Sequence, residues 1–222
     1  MTNSYTPSAR TSPSRNAARV SYDRPAVHVV LDEALVCHVG FVVDGQPVVL
    51  PQLHVRVDDT LYLHGSTGAR GLRAASDGGL NVCVTVTLTD GLVLARSAFH
   101  HSINYRAVVA HGTAVLVTDA AEKTAALTAL VEAVAPGRAA GTRAPSAKEL
   151  AATAVLRLDL TEVSLKVRTG GPNDDPEDQD LPYWAGVLPL STAAGKPEPA
   201  LDLRAGIEVP AHVDGWARPA AR

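Results

Sequence analysis

Val36-Cys37-His38-Val39-Gly40-Phe41-Val42-Val43-Asp44-Gly45-Gln46-Pro47-Val48-Val49-Leu50-Pro51-Gln52-Leu53-His54-Val55-Arg56-Val57 is a pair of β-rich runs on either side of Asp44-Gly45. A two-residue Asp-Gly loop favours the type I′ turn, whose twist matches that of the strands it joins, so the stretch is predicted to fold as a β-hairpin. Working outward, Asp58-Asp59 is a second turn, and Thr60 to His64 alternates Leu61 and Leu63 against Tyr62 and His64. Leu80 to Leu88 alternates more strictly, with Val82, Val84, Val86 and Leu88 on one face and Cys83, Thr85 and Thr87 on the other. Such alternation belongs to half-buried strands of an antiparallel sheet. Gly91 to Ser97 and Tyr105 to Val117 read as two further strands with an irregular link over 99–104. A last strand begins near Ala154, and its apolar parity shifts at Thr161-Glu162, which predicts a bulge or break.

Helices are fewer. Asp23-Arg24-Pro25 has the form of a helix start, with Val27, Val30 and Leu31 at helical spacing behind it. Asp119 to Val134 carries a cap, Glu122 three residues on, and the stripe Leu127, Leu130, Val131, Val134. Ser146-Ala147-Lys148-Glu149 is a capping box, and Ser66 to about Ser76 reads as one more helix. Strands in succession, without helices between them, favour an antiparallel sheet or barrel over a doubly wound fold. Three regions are expected: residues 1–20, poor in apolar side chains, as a flexible arm; 21–170 as one domain; and 171–222, Pro-rich and acidic at its start, as an extended tail wrapping that domain. Trp184 in that tail reads as an anchor to the core, with a stacking surface as the alternative.

Composition narrows the function classes. The 222 residues are 46% hydrophobic and 19% charged, as in a core-forming globular chain. Twenty Lys and Arg against 23 Asp and Glu leave a net charge of −3, no footprint for nucleic acid or an anionic membrane. No run of about 18 apolar residues offers a membrane span. Two cysteines far apart, no visible secretory signal and no histidine spacing suited to a metal lead to an expectation of a cytoplasmic protein without a bound metal ion.

Three segments hold candidate chemistry. In Leu61 to Arg70 a strand gives way to a helix through Gly65-Ser66-Thr67-Gly68, and free N–H groups at a helix start suit a phosphate. Arg70, one turn above Ser66, can reach the same anion. A plain cap with an exposed arginine is the alternative. In Ser97 to Arg106, His100, His101, Asn104 and Tyr105 sit between strands, the usual place for binding residues. Lys166 and Arg168 share a face at the end of the last strand. They call for an anion between them, which the acidic run Asp174 to Asp180 could supply.

Taken together, these segments resemble the pyridoxamine 5'-phosphate oxidase-like flavoproteins. The resemblance rests on the hairpin ending Val48 to His54, on Leu61 to Ser66 with Arg70, on Val82 to Thr87, on Asp90 to Ser97, and on His101 to Arg106. It runs roughly from Arg19 to Leu190 and is similar to the flavin-nucleotide-binding branch near the nitroimidazole reductases. It implies a mainly β, α+β fold: a split β-barrel of antiparallel, Greek-key-like strands with a few peripheral helices, forming a homodimer with FMN at the subunit interface. It places Leu50, Pro51, Gln52 and His54 along the flavin, and His64, Gly65, Ser66 and Arg70 at its phosphate. Asn104, Tyr105 and Arg106 would reach across the interface, with Lys166 and Arg168 nearby. Arg70 is followed by Gly71 rather than by a second basic residue, and no arginine-and-tryptophan substrate motif follows Lys166, both of which argue against pyridoxine-phosphate oxidation. The implied activity is an FMN-dependent oxidoreductase acting on a small molecule, with a reduced nicotinamide as a candidate donor and His100 or His101 as candidate proton donors. A flavin carrier, or a barrel binding haem through a histidine, is the alternative.

Overall fold

The computed structural model describes residues 3–68, 75 and 78–217. Among these, nine strands pair, all antiparallel: β1 Val20–Ser21, β2 Val36–Val43, β3 Gln46–Val57, β4 Thr60–Ser66, β5 Leu80–Leu94, β6 Ser102–Leu116, β7 Thr153–Asp159, β8 Glu162–Arg168 and β9 Gly186–Pro189. Four α-helices accompany them: α1 Arg24–Glu33, α2 Ala120–Val134, α3 Ala147–Ala152 and α4 Ala211–Asp214. β2, β3, β4, β7, β6 and β5 follow one another round a six-stranded ring, because β5 pairs with both β2 and β6. β8 and β1 continue outward from β6, and β9 from β5. This is the mainly β, antiparallel arrangement that the order of strands favoured, in the split-barrel form that the resemblance implied.

The hairpin forms as its turn dictates. Asp44 and Gly45 take φ of 51° and 73°, the left-handed pair of a type I′ turn, and Val43 faces Gln46 across it. β7 and β8 separate at the parity shift: β7 pairs with β4 and β6, whereas β8 pairs with β6 and β1. α1 is capped by Asp23, whose carboxylate accepts from the Ala26 amide at 3.0 Å. It seals the ring by burying Val27, Val30 and Leu31 against Leu61, Leu63, Val84, Val86, Leu158 and Leu165. Each such side chain contributes roughly 1.5–3 kcal/mol by leaving water.

Several expectations change. Leu80–Leu88 and Gly91–Ser97 are not two strands but one, β5, with a register irregularity between Thr89 and Gly91 that lets it continue past Asp90-Gly91. Residues 99–104 are not all irregular: a 3-10 turn over Ala98–His100 leads into β6 at Ser102, so Asn104 lies in a strand. The N-terminal residues expected as a flexible arm pack on the domain. Tyr5 is 2% exposed, its hydroxyl bonded to Asp59 at 3.1 Å and its ring under the Arg24 guanidinium. One buried tyrosine outweighs the polar composition around it. In the tail, Trp184 is 68% exposed and lies over Gly186 rather than in the core. The helix expected over Ser66–Ser76 falls mostly outside the described residues, and Arg70 falls there entirely. No helix among the described residues is long and apolar enough to cross a membrane.

Candidate functional site

β4 decides the site, because its alternation gives its two faces different work. Leu61 and Leu63 point into the core, while Tyr62 and His64 face α2, where the Tyr62 hydroxyl donates to Glu122 at 3.0 Å. Below Tyr62 the two surfaces part. α2, the turn after it and α3 stand away from β3, β4 and the start of β7, enclosing a cavity of about 890 Å³. Leu53 and His64 form its sheet side. Leu127, Leu130, Val131 and Val134 form its helix side, and Arg138, Arg143, Pro145 and Leu150 its rim. The volume falls in the range of small-molecule and cofactor sites.

Three features give the cavity its chemistry. Its walls are mostly aliphatic, and Val131 and Val134, on the apolar stripe of α2, remain 38% and 41% exposed. His64 makes no hydrogen bond with a described residue, and its Nδ1 is buried without a partner. At the rim, Arg143 is tied to Glu149 at 2.8 Å and holds that carboxyl at about 2, whereas Arg138 makes no ion pair among the described residues. An apolar slot with one imidazole and one guanidinium that are unpaired among the described residues matches a flat, apolar ligand that carries anionic groups at one end. It equally offers a nitrogen ligand to a metal centre held in that plane.

The other expected residues sit apart from the cavity. Leu50 and Pro51 are exposed on β3, with Gln52 half-buried beside them. His54 is buried, donating from Nε2 to the Leu31 carbonyl at 3.0 Å, and burial lowers its pKa. Gly65 and Ser66 end β4, where the Ser66 hydroxyl accepts from the Gly68 amide at 3.3 Å. Asn104 and Arg168 come together: the buried Arg168 guanidinium donates to the Asn104 side-chain oxygen and to the carbonyls of Gly170 and Gly171, at 3.2 and 3.0 Å. Among the described residues no carboxylate pairs with Arg168. The acidic run that was expected to supply one turns elsewhere, Asp174 to Arg96 at 2.8 Å and Asp175 to His100 at 3.1 Å. Tyr105 and Lys166 are half-buried on β6 and β8.

Arg106 is the most constrained of the set. Its fork holds Asp90 at 2.7 and 2.9 Å on one side and Glu33 on the other, and the two carboxylates push its pKa up. In this chain it therefore ties β6 to α1 and β5. His101 is exposed, with Nδ1 against the Ser97 carbonyl at 3.0 Å. The two candidate proton donors thus lie on the β5–β6 connection, in neither the cavity nor the Asn104–Arg168 cluster.

Sequence reasoning missed the cavity itself. Its signal lay in α2, whose apolar stripe is wider than the single buried row of Ala126 and Leu130, and in the two arginines of the loop that follows.

A ring of antiparallel strands with one helix standing off it over a large apolar cavity defines a split-barrel protein. The chain belongs to the pyridoxamine 5'-phosphate oxidase family, whose profile matches residues 23–167. It is similar to the flavocytochrome Anf3 from Azotobacter vinelandii, at 39% identity over 94% of this chain and 97% of that one, with a TM-score of 0.87. It is also similar to the FAD and haem binding protein from Mycobacterium smegmatis, at 41% identity over 89% of this chain and 96% of that one, with a TM-score of 0.84. No curated protein matches the chain.

Proposed function

We propose that this chain is a redox protein that binds a flavin and a haem, working as a homodimer with the flavin between subunits and one haem in the cavity of each. The observation that carries the reading is the cavity: about 890 Å³, aliphatic, with the unpartnered His64 imidazole on its sheet side and Arg138 at its rim. Haem is a flat apolar ring with two carboxylates on one edge. His64 would ligate its iron, and Arg138 and Arg143 would meet its carboxylates. The names of the two relatives support the pairing of cofactors, since one is a flavocytochrome and the other binds FAD and haem.

For the flavin, the strip of exposed Leu50 and Pro51 with half-buried Gln52 is offered to the ring, and Gly65, Ser66 and Arg70 to the phosphate. The Arg168–Asn104 pair, a buried cation with only neutral acceptors among the described residues, would take an anionic group as its counter-charge. FMN, which the family resemblance implies, is also one half of FAD, so these contacts serve either flavin. The name of the M. smegmatis relative favours FAD. When bound, the flavin supplies hydride chemistry and the haem one-electron chemistry. The protein's part is to hold the two in place and keep water from the haem slot. A small molecule is the substrate, with a reduced nicotinamide as the electron donor.

The test is spectroscopic. Protein purified after haem supplementation is expected to show both flavin bands and a Soret band, to bleach its flavin with a reduced nicotinamide without oxygen, and to release FAD by mass. His64→Ala is expected to lose the Soret band and keep the flavin. Colourless protein that takes up neither cofactor overturns the proposal. A Soret band that survives in His64→Ala removes His64 as the ligand.

A further inference from the structure

The cavity wall that carries Arg138 is not held by the barrel alone. α2 ends at Val134, and the chain turns through Gly137, at φ +86°, into a 3-10 turn at Ala139–Gly141. The Glu132 carboxylate braces this turn by accepting the amides of Gly137 and Ala139 at 2.6 and 2.7 Å, which lower its pKa. From outside, the C-terminal segment closes over it. The indole N–H of Trp216 donates to the Val134 carbonyl at 2.8 Å, filling one of the acceptors a helix end leaves open. The His212 ring lies against Gly137 and Gly141, so close that a methyl group on either glycine would meet it at 3.7–3.8 Å. The chain between Pro189 and Ala211 contains no helix or strand, so α4 is tethered to the barrel by an irregular segment. It is fixed at its far end by these few contacts.

We propose that residues 211–216 are a clasp on the cavity, and that His212 and Trp216 are positioning residues for the anionic edge of its ligand, acting through the Arg138 wall. This rests on the haem reading above. The described contacts of the clasp with the wall are the Trp216 hydrogen bond and the packing of the His212 ring, at the end of an irregular tether, the kind of element that opens locally long before the fold does. While it is closed, the Val134–Gly141 wall keeps Arg138 at the rim. When it opens, the wall keeps the Glu132 brace and the backbone bonds of its own turn but loses its outer support, and the ligand can leave.

The experiment uses the full-length, haem-loaded protein and follows transfer of haem to excess apomyoglobin by the Soret change. Trp216→Phe keeps the ring and removes the donor. It is expected to speed transfer roughly fivefold, the factor that corresponds to one ordinary hydrogen bond. His212→Ala is expected to act in the same direction, and a stop after Pro210 to act more strongly than either. The Soret position and flavin content should stay as in the parent. Once Arg138 is replaced by Ala, the truncation should add little, because both act on one wall. In haem-free protein, the amides of Gly137 and Ala139 should exchange with deuterium faster after truncation. Transfer and exchange rates unchanged in both Trp216→Phe and the truncated chain overturn the clasp while leaving the haem reading standing. Parent protein that takes up no haem overturns both.

Discussion

His54 shows what burial does to a single titratable group. A carbonyl can only accept, so the bond from Nε2 to the Leu31 oxygen fixes the proton on Nε2 and leaves Nδ1 bare, in a place where it finds no partner. Charging the ring would put a cation in an apolar environment, and burial accordingly lowers its pKa below the usual imidazole value. The sign follows from proton counting. Below the unfolded value, near 6.5, the unfolded chain binds a proton that the folded chain refuses, so stability falls as the pH drops through that point. The contribution of this group to stability is therefore whole only above about pH 6.5 and is lost as the pH falls below it. Urea unfolding at a series of pH values from 7.5 to 5 is expected to show this slope in the parent and to show it flattened in His54→Leu. Equal slopes would mean that another group carries the dependence. The carboxylates held low by their partners, Asp59 and Glu149 among them, act in a separate and more acidic window. Cys37 gives a second test of burial at this scale. It is fully buried, and desolvation pushes its thiol up to about 12, whereas Cys83 is half-exposed. Thiol reagents at neutral pH are expected to label Cys83 in the native protein and Cys37 only after unfolding. Labelling of both in folded protein would contradict the packing of β2.

At the scale of elements, Arg106 explains why β5 survives its own turn signal. Asp90-Gly91 has the sequence of a hairpin loop, yet the strand runs on. The Asp90 carboxylate is taken by Arg106 from the neighbouring strand, and the same guanidinium reaches Glu33 at the end of α1. One planar fork thus joins a helix, a bulge and a strand. Arg106→Ala leaves two carboxylates facing each other and is expected to cost about 2–3 kcal/mol, less than a fully buried pair would because the guanidinium is a quarter exposed. Arg106→Lys should recover only part of this, since one ammonium cannot serve two carboxylates bidentately. Urea midpoints measure both, and an unshifted midpoint in Arg106→Ala would show the clamp to be idle. The same contrast divides what the sequence disclosed from what it hid. The Asp44-Gly45 hairpin, the caps at Asp23, Asp119 and Ser146, and the break between β7 and β8 are local events, written in residues a few positions apart. The continuity of β5, the docking of Tyr5 and the meeting of Arg168 with Asn104 depend on partners at least 16 residues away along the chain. The cavity was hidden for the same reason. An apolar stripe on α2 looks alike whether it lies flat on a sheet or stands off to admit a ligand, and only the position of the 138–145 turn distinguishes the two.

At the scale of the whole molecule, the ring leaves apolar surface that the chain does not cover. Val42, Val49 and Leu50, on the two strands of the first hairpin, are 60%, 62% and 48% exposed. Val42 and Val49 share one face of the hairpin and Leu50 lies on the other, and exposed apolar side chains on a strand pair are costly to keep in water unless a partner covers them. In the proposed homodimer this hairpin meets the second copy, and Leu50-Pro51-Gln52 passes from the interface toward the flavin. Burying the three side chains would contribute roughly 1–2 kcal/mol each at their present exposure. Val49→Asp puts a charge into that surface without touching the ring's core. It is expected to convert the dimer to monomer by light scattering at micromolar concentration while the thermal unfolding of the monomer stays cooperative. Because the flavin is proposed to sit between copies and the haem within each, the two cofactors should then part company. Flavin should be lost with the dimer, while the Soret band from the α2 cavity is kept. A monomer that retains its flavin would move that site inside one subunit. A variant that remains dimeric would place the interface on another face of the ring.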